Sequence, residues 1–410
     1  MLGAIIGDII GSTRESAPVK STEFHLFEEG SRFTDDTVMT VALSDALLSV
    51  PGDWLDAPEE HAEGIRTRIV ERMQTWGRRF PDAGYGGWFQ SWIFSDDPQP
   101  YGSFGNGSAM RISPAGWLAG SEEAALELAK LGAQVTHNHP EGIKGAQAVA
   151  LAVFLARSGA PKKEIRQALT ERFGYDLNRD PDEIRTSCRF DSSCQVSVPQ
   201  ALACFFAAES YEDAVRLAVS LGGDADTQAA IAGAVAEGYF GIPEYLKREG
   251  RRRLSRPMVK VLERFRRHAP RRYHGRKGTT PLTDNDRIEL LLPEVAEGSA
   301  SGQDVVMVLR SRMFEDGQFL VPCEENEKGG KVPRLLAGES GEAMLPVFTS
   351  RQELAGGGDA SAEVLLAYMD NLFYACLRDE AVSGVVINPW NRNGLSIEKK
   401  GIAAIVGEKA

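Results

Sequence analysis

The chain has 410 residues, far more than a fold needs to bury a hydrophobic core, which excludes a small disulfide-stabilised scaffold. Its composition, 42% hydrophobic and 25% charged, is that of a folded globular protein and excludes wholesale disorder. The net charge of −12 indicates ordinary solubility, although residues 247–277 carry fourteen Lys or Arg against two Glu.

Two features of the sequence bear on the compartment. The five cysteines are an odd number without a Cys-x-x-Cys pair, which favours reduced thiols and a cytoplasmic location. The apolar run Met1–Ile10 has no Lys or Arg before it and contains Asp8, which favours a core helix over a secretion signal. No window approaches the roughly 18 to 20 apolar residues that a membrane span requires.

The chain predicts two domains joined by a linker. Residues 1–270 are expected to form an all-α domain, because apolar residues recur there at helical spacing. Residues 271–285 are rich in Arg, Gly, Thr and Pro, which is typical of an interdomain linker. Residues 286–410 predict a smaller α/β (α+β) domain. Helices are expected at 38–50, 62–77, 122–134, 142–158, 161–173, 197–208, 211–220, 227–240, 258–267, 286–293 and 361–379, and strands at 318–322, 343–348, 384–388 and 394–398.

Two acidic clusters stand directly before predicted helices. Thr34-Asp35-Asp36-Thr37 precedes the helix from Val38, and Gly222-Gly223-Asp224-Ala225-Asp226-Thr227 precedes the helix from Gln228. Taken alone, either cluster is explained more economically by helix capping, since Thr and Asp are preferred N-caps and complement the helix dipole.

Together the two clusters indicate more than capping, because one cap needs only one side-chain acceptor. If the two helix starts converge, four carboxylates share a pocket, and protonation or cations must relieve their repulsion. The sequence therefore predicts an all-oxygen site for two magnesium ions, with manganese or calcium as alternatives. The expected ligands are Thr34, Asp35, Asp36, Asp224, Asp226 and Thr227.

A glycine-rich loop runs from Tyr101 to Arg111. Its glycines, with interleaved Ser and Asn, allow successive backbone N–H groups to point inward, as in loops that bind a pyrophosphate. Taken alone, the loop is explained more economically as a Gly-rich turn that caps a helix, and the spacing matches neither a Walker loop nor a dinucleotide-binding fingerprint.

Two further groups of residues admit both a chemical and a structural interpretation. His137-Asn138-His139-Pro140 has the residues for a transition-metal pair, but a loop that caps the next helix, with Pro140 in its first turn, is preferred. Cys188 and Cys194 flank a polar loop without a sign of an activating base, which predicts buried, unreactive thiols.

Four motifs in register resemble the ADP-ribosylglycohydrolase family over about residues 1–268. They are Gly7-Asp8-Ile9-Ile10-Gly11-Ser12-Thr13-Arg14-Glu15, Thr34-Asp35-Asp36-Thr37, Gly105-Asn106-Gly107-Ser108-Ala109-Met110-Arg111 and Gly223-Asp224-Ala225-Asp226-Thr227. The resemblance implies an all-α ADP-ribosylglycohydrolase-like catalytic domain with a binuclear magnesium centre that removes ADP-ribose from proteins or small molecules. It implies the same six metal ligands as the chemical argument.

The resemblance also implies roles for residues that their local sequence does not single out. Glu15 corresponds to the glutamate that such enzymes hold on a mobile loop near the metals, and Asp8 is expected to brace this loop. Glu15 and Asp36 are the candidates for proton transfer to or from the attacking water. The expected substrate contacts are Ser103, Gly105, Asn106, Gly107 and Ser108 to the diphosphate and proximal ribose, Phe104 or Met110 to the nucleotide, and His137 near the substrate.

The remaining segments carry weaker functional predictions. The basic stretch 247–277 has only Phe265 and Tyr273 as aromatics, so a solvated helix face and linker, docked on the acidic remainder, are preferred over nucleic-acid binding. Residues 345–354 and 385–390 resemble the amino-terminal domain of the SseB family over residues 284–410. That resemblance implies an SseB-like α/β interaction module for a protein partner, in which Phe348 and Ile387 are core residues.

The sequence thus predicts a magnesium-dependent hydrolase of ADP-ribosylated proteins or ADP-ribose conjugates. Two alternatives stay open: a non-catalytic ADP-ribose-binding or structural relative, and a metal-dependent phosphohydrolase, to which an oxygen-rich centre is equally suited. The linkage that is cut is left open.

Overall fold

The computed structural model describes residues 1–269, 282, 285–314, 317–326, 330–337, 342–356 and 363–407. The chain divides into two compact units, Met1–Tyr273 and His274–Ala410. The predicted linker 271–285 lies outside the described residues except at positions 282 and 285. Among the described helices, none combines the length and the apolar character that crossing a bilayer requires.

The regular elements of residues 1–269 are helices, as the apolar periodicity predicts. All the helices expected in this unit are present, and shorter ones lie between them. They are α1 (Leu2–Gly11), α2 (Asp35–Leu47), α3 (Gly52–Asp56), α4 (Ala62–Arg79), α5 (Gly87–Phe94), α6 (Gly107–Met110), α7 (Ser113–Leu118), α8 (Glu122–Gln134), α9 (Pro140–Ser158), α10 (Lys162–Phe173), α11 (Pro181–Ser187), α12 (Cys194–Ala207), α13 (Tyr211–Ser220), α14 (Ala225–Phe240), α15 (Glu244–Arg252) and α16 (Arg256–His268).

Helices α1 and α14 form the centre of this unit. Every residue of α1 is buried, which confirms the interpretation of the amino-terminal run as a core helix. Its glycines recur every fourth residue and therefore form one face. A Cβ atom on Gly3, Gly7 or Gly11 would lie 2.2–2.4 Å from backbone atoms of α14. The two backbones are thus in direct contact, and only glycine fits on this face of α1.

This contact predicts a large effect of Gly7→Ala on stability. The added methyl group would lie 2.2 Å from the carbonyl oxygen of Ala229, so the helices must separate, and we expect a loss of roughly 2–3 kcal/mol in the free energy of unfolding. Urea denaturation measures this loss. Gly52→Ala is the matched control, because a Cβ there meets no atom within 4 Å. Equal stability of the two variants would contradict the contact.

The carboxyl-terminal helices of this unit explain part of the basic stretch. On α16, Met258, Leu262 and Phe265 are buried. On its other side, Arg264 donates from Nη1 to Oδ1 of Asp45 at 2.9 Å. The described part of the stretch, up to residue 269, therefore docks on the helical unit through an apolar face and an ion pair. Residues 270–277 lie outside the described residues.

The second unit combines helices with two small sheets, as expected for an α+β domain. Its strands are β1 (Gln318–Glu325), β2 (Lys331–Pro333), β3 (Leu336–Ala337), β4 (Ala343–Val347), β5 (Val364–Tyr368), β6 (Gly384–Ile387) and β7 (Leu395–Glu398). Its helices are α17 (Asp286–Ala296), α18 (Gly302–Phe314), α19 (Arg351–Ala355), α20 (Met369–Arg378) and α21 (Lys399–Val406). The sheet orders are β2-β1-β5 and β3-β4-β6-β7, with β4 and β6 parallel.

The predictions for the second unit are partly correct. The strands expected at 318–322, 343–348, 384–388 and 394–398 are present, and Phe348 and Ile387 are fully buried, as predicted. The helix expected over 361–379 is wrong in its first part. Residues 364–368 form β5, which pairs antiparallel with β1 because the run Val-Leu-Leu-Ala-Tyr suits a sheet position. Helix α18 was not predicted.

Asn388 joins the ends of two strands in this unit. Its backbone has a φ of 48°, in the left-handed region. Its side-chain oxygen accepts a hydrogen bond from the Thr349 backbone N–H at 3.0 Å, and its amide donates to the Thr349 hydroxyl at 2.8 Å. Asn388, within the SseB-like segment 385–390, therefore has a structural role, because it fixes the chain after β6 to the chain after β4.

Candidate active site

Asp8 fixes the start of α2 against α1. Its carboxylate accepts hydrogen bonds from the Thr34 N–H (3.0 Å) and hydroxyl (2.7 Å), and from the Thr37 N–H (3.1 Å) and hydroxyl. Burial raises the pKa of Asp8 to about 6, although these hydrogen bonds favour its ionised form. Four donors occupy both of its oxygens. Asp8 therefore braces the Thr34–Thr37 turn rather than the Glu15 loop, for which the sequence suggested it.

The two acidic clusters meet in the fold. The Thr227 hydroxyl donates to Oδ2 of Asp36 at 3.2 Å, which joins segments that are 191 positions apart. Asp36, Asp224 and Asp226 are all buried. The position of the second cluster follows from the α1–α14 contact, because Gly11 packs directly against the backbone of Asp226.

Burial and mutual repulsion raise the pKa values of this cluster. Burial raises the pKa of Asp35 to about 7, with Asp8 as the largest charge contribution. The pKa of Asp36 lies well above its usual range because of burial and the charge of Asp226, and the pKa of Asp226 does so because of burial and Asp224. The carboxylates oppose one another's ionisation unless positive charge is supplied.

Glu15 joins this cluster from the segment between α1 and α2. One carboxylate oxygen from each of Glu15, Asp224 and Asp226 lies within 4.8 Å of the other two. Burial and the charge of Asp224 raise the pKa of Glu15. Unlike the other two carboxylates, Glu15 is exposed to solvent, so it is the acid of this group that water and a ligand can reach.

The donor set suits a hard divalent cation. Oδ1 of Asp36 is buried without a hydrogen-bond partner, which is costly for a carboxylate oxygen unless a cation contacts it. The Thr34 hydroxyl donates to Asp8 and accepts from the Asp36 N–H, and the Thr227 hydroxyl donates to Asp36, so each oxygen keeps at least one lone pair for a cation. All six predicted ligands offer oxygen, the atom that Mg²⁺, Mn²⁺ and Ca²⁺ prefer.

The glycine-rich loop is tied to the acidic cluster through Asn106. The Asn106 amide donates to Oδ2 of Asp224 at 2.8 Å and to the Ser197 hydroxyl at 3.1 Å. Its backbone N–H donates to the Ser192 carbonyl at 2.7 Å. Ser108 is fully buried, and its hydroxyl donates to the Gly142 carbonyl. These side chains face the interior, so the surface that the loop offers to a ligand is mainly its backbone.

A cavity of about 680 Å³ opens beside this loop. Phe104 lines it and is 48% exposed, whereas Met110 is buried, with its sulfur 4.0 Å from the Thr227 hydroxyl. Phe104 is therefore placed for an apolar contact with a ligand in the cavity, and Met110 is not. Other residues of the lining are Trp88, Tyr101, Ser103, Gly105, Asp191 and Ser193.

Trp88 is a cavity residue that the sequence analysis missed. It is 78% exposed and stacks on Tyr101 with ring centroids 6.3 Å apart. The available signal was a large aromatic residue directly after Gly86 and Gly87, and this signal is weak because most such residues belong to a core. Asp191 was also missed, because it lies 80 positions or more from the glycine-rich loop that it faces.

The histidine motif is structural, as preferred from the sequence. His139 caps α9, with Nδ1 accepting from the Glu141 N–H at 3.2 Å, and Pro140 stands in the first turn. Asn138 accepts from the Gly102 N–H at 2.7 Å and so supports the glycine-rich loop. His137 is 5% exposed and lies behind the same loop, where a Cβ on Gly107 would be 3.1 Å from its Nε2.

Both cysteines near the cavity are buried, in agreement with the sequence analysis. Burial raises the pKa of the Cys194 thiol to about 11 and also raises that of Cys188. Both thiols are therefore protonated at neutral pH, the state in which a cysteine is a poor nucleophile.

The environment of His137 predicts a pH-dependent stability. Burial, with the charge of Arg111, holds the pKa of His137 well below 6.5, so the unfolded chain binds this proton more readily than the folded protein. The free energy of unfolding should therefore fall by about 1.4 kcal/mol per pH unit from this group as the pH drops below 6.5.

His137→Gln removes this titration. Urea denaturation of both proteins between about pH 5 and pH 8 isolates the contribution as the difference in unfolding free energy. We expect the unfolding free energy of the wild type minus that of His137→Gln to be constant in the upper part of this pH range and to decrease toward acidic pH. A difference that does not change with pH would mean that His137 binds its proton equally well in the folded and unfolded chain, and a difference that grows toward acid would mean that the fold favours the protonated form.

Sequence families match both units of the chain. The sequence model of the family described as ADP-ribosylglycohydrolase matches residues 1–277, and that of the SseB protein N-terminal domain matches residues 289–404. The chain is 26% identical over 320 residues to the ADP-ribosylhydrolase ARH3 of Mus musculus, covering 60% of this chain and 83% of the relative.

Bacterial relatives are similarly distant. The chain is 28% identical over 274 residues to the ADP-ribosylarginine hydrolase Tri1 of Pseudomonas putida, covering 60% of this chain and 72% of that protein. It is 27% identical over 262 residues to the ADP-ribosyl-[dinitrogen reductase] glycohydrolase of Rhodospirillum rubrum, with 59% and 85% covered. A solved ADP-ribosylglycohydrolase-related protein complex superposes with a TM-score of 0.46 at 24% identity, over 66% of this chain and 97% of that one.

Proposed function

The chain belongs to the ADP-ribosylglycohydrolase family, and on this premise we propose that it hydrolyses the bond between ADP-ribose and a protein or small-molecule acceptor. The observation that carries the proposal is the meeting of Glu15, Asp36, Asp224 and Asp226. Asn106 ties this cluster to the glycine-rich loop, which lines a cavity. The relatives ARH3, Tri1 and the dinitrogen reductase glycohydrolase, named as ADP-ribosyl hydrolases, support the reaction class.

The proposed cofactor is a pair of magnesium ions, which manganese can replace. Thr34, Asp35, Asp36, Asp224, Asp226 and Thr227 would hold it, in keeping with the unpartnered oxygen of Asp36. Such ions, when bound, supply positive charge that orients ribose hydroxyls and lowers the pKa of water. Asn106 fixes the orientation of the Asp224 carboxylate by donating to its Oδ2.

Proton transfer and positioning are assigned to different carboxylates of the protein. Glu15 is exposed and adjacent to Asp224 and Asp226, which supports its carboxylate as the group that accepts the proton of a water attacking the anomeric carbon. Asp36 is buried and accepts a hydrogen bond from the Thr227 hydroxyl, an environment that suits a metal ligand better than a general base. We therefore assign the proton transfer to Glu15 and the positioning to Asp36.

The glycine-rich loop is the proposed site of the diphosphate and the proximal ribose. The Gly105 and Asn106 N–H groups already donate to the Ser103 hydroxyl and the Ser192 carbonyl. Ser108 is fully buried, so the N–H group of Gly107, at the start of α6, is the stronger candidate for a phosphate oxygen. Phe104, in the cavity lining, is the proposed apolar contact for the nucleotide.

Substitution of single acidic ligands tests the metal proposal. Asp226→Ala removes a buried carboxylate from the cluster, so we expect Mn²⁺ affinity and turnover each to fall at least about 100-fold. Calorimetry measures the affinity, and excess chelator should stop turnover of the wild type. Asp53→Ala, at an exposed position on α3, is the control. Wild-type turnover by Asp226→Ala, or in chelator, would exclude the proposed centre.

Product analysis separates this function from its two rivals. Defined conjugates with ADP-ribose on arginine, on serine and on acetate are incubated with the protein, with and without magnesium. The proposal predicts free ADP-ribose from at least one conjugate, and only with the metal. Release of AMP or phosphate instead would identify a metal-dependent phosphohydrolase. Binding of ADP-ribose without any product would identify a non-catalytic relative.

For the second unit we propose only an interaction with a protein partner, since the SseB-like fold does not by itself establish an activity. A cytoplasmic location is proposed for the whole chain. Its five cysteines are buried and unpaired, as expected for a reducing compartment.

A further inference from the structure

The segment that carries Glu15 is attached to the helical unit through Lys20. This segment, residues 12–33, connects α1 to α2 and contains no regular helix or strand. The Lys20 ammonium donates to the backbone carbonyls of Arg185 and Cys188, each at 3.0 Å, and to that of Leu221. Lys20 lies five positions after Glu15, so its attachment restricts where Glu15 can reach.

The carbonyls that Lys20 contacts belong to the ends of two helices. Cys188 is the C-cap of α11 and Leu221 is the C-cap of α13. Carbonyl groups at helix carboxyl termini lack intrahelical partners and carry partial negative charge, which favours a cation there. An ammonium group has three N–H donors and the pocket offers three acceptors, so the fit is complete.

The same contact reaches the acidic loop before α14. Leu221 is followed by Gly222, Gly223 and Asp224. Gly222 has a φ of 66°, and a Cβ atom there would lie 2.8 Å from Cε of Lys20. The lysine side chain thus packs on the backbone that leads directly to Asp224. Lys20 therefore connects the segment that carries Glu15 to the loop that carries Asp224.

We propose that Lys20 is a positioning residue, which holds Glu15 beside Asp224 and Asp226 by attaching the 12–33 segment to the ends of α11 and α13. The expected effect on kcat rests on the proposed function, whereas the expected effect on the 12–33 segment does not. Lys20 forms no hydrogen bond or ion pair with Glu15, Asp224 or Asp226. It acts through the backbone of the 12–33 segment and through the backbone that leads to Asp224.

A second attachment keeps the segment in place when Lys20 is removed. Arg216 on α13 donates to the carbonyls of Thr22 (3.0 Å) and Phe24 (2.8 Å), and its guanidinium lies over the Phe24 ring. Arg14, directly before Glu15, pairs with Glu28 and lies over the same ring. The loss of Lys20 should therefore loosen residues 15–21, between these attachments, without detaching the rest. The fold should persist, because the core of α1 and α14 is not involved.

The test compares Lys20→Met, which keeps an unbranched side chain but lacks the ammonium group, with Lys20→Arg, which keeps the charge and donors. Lys163→Met, at an exposed position on α10, is the control. Three quantities are measured on the full chain: amide hydrogen exchange in residues 12–33, the affinity for Mn²⁺, and kcat and KM on the conjugate that the wild type cleaves fastest.

We expect Lys20→Met to exchange amides of residues 15–21 at least about tenfold faster and to lose about 10- to 100-fold in kcat, with KM and the melting temperature little changed. Mn²⁺ affinity should fall less than in Asp226→Ala, and Lys20→Arg should recover part of kcat. Exchange and kcat equal to those of Lys163→Met would overturn the proposal, as would a fall in kcat that only follows a general loss of stability. If the wild type cleaves no conjugate, the proposed function fails, and the exchange measurement still decides the role of Lys20.

Discussion

The direct contact between the backbones of α1 and α14 is the constraint on which the site depends. Three glycines of α1 lie where any Cβ atom would overlap α14. The last of them, Gly11, touches the backbone of Asp226, and Asp8 on the same helix holds the start of α2. One helix therefore brings together two acidic segments that are distant in the chain, and their side chains enter a common pocket as a consequence.

The pocket is electrostatically unfavourable without a counter-charge. Burial and neighbouring carboxylates raise the pKa of Asp35, Asp36 and Asp226 together. The buried core around α1 and α14 must offset this cost, because the acids do not stabilise the fold by themselves. Cations that bind the folded state and not the unfolded one would return stability by mass action. The carboxylates that make the pocket unfavourable without cations are thus the same groups that would hold the proposed cofactor.

The sequence predicted the helices of the first unit, because apolar periodicity is a local signal. Helices α2 and α14 begin earlier than expected, at Asp35 and Ala225, so most of the acidic residues lie in the first helical turn and not before it. The meeting of Asp36 with Thr227 had no local signal and rested on chemistry and on the family resemblance. The roles of Asn106, which orients Asp224, and of Lys20, whose partners are backbone carbonyls, depend on distant segments and could not be predicted. Residues 364–368 were assigned to a helix because short apolar runs suit both structures, and pairing with β1 decides for a strand.

The central claim is that acids from both ends of the helical unit share one pair of cations. Electron paramagnetic resonance of the protein titrated with Mn²⁺ tests it most directly, since two manganese ions about 4 Å apart couple their spins. The account predicts two bound ions per chain and a coupled signal that disappears in Asp36→Ala and in Asp226→Ala alike. Two uncoupled ions, or a coupled signal that survives either substitution, would contradict it.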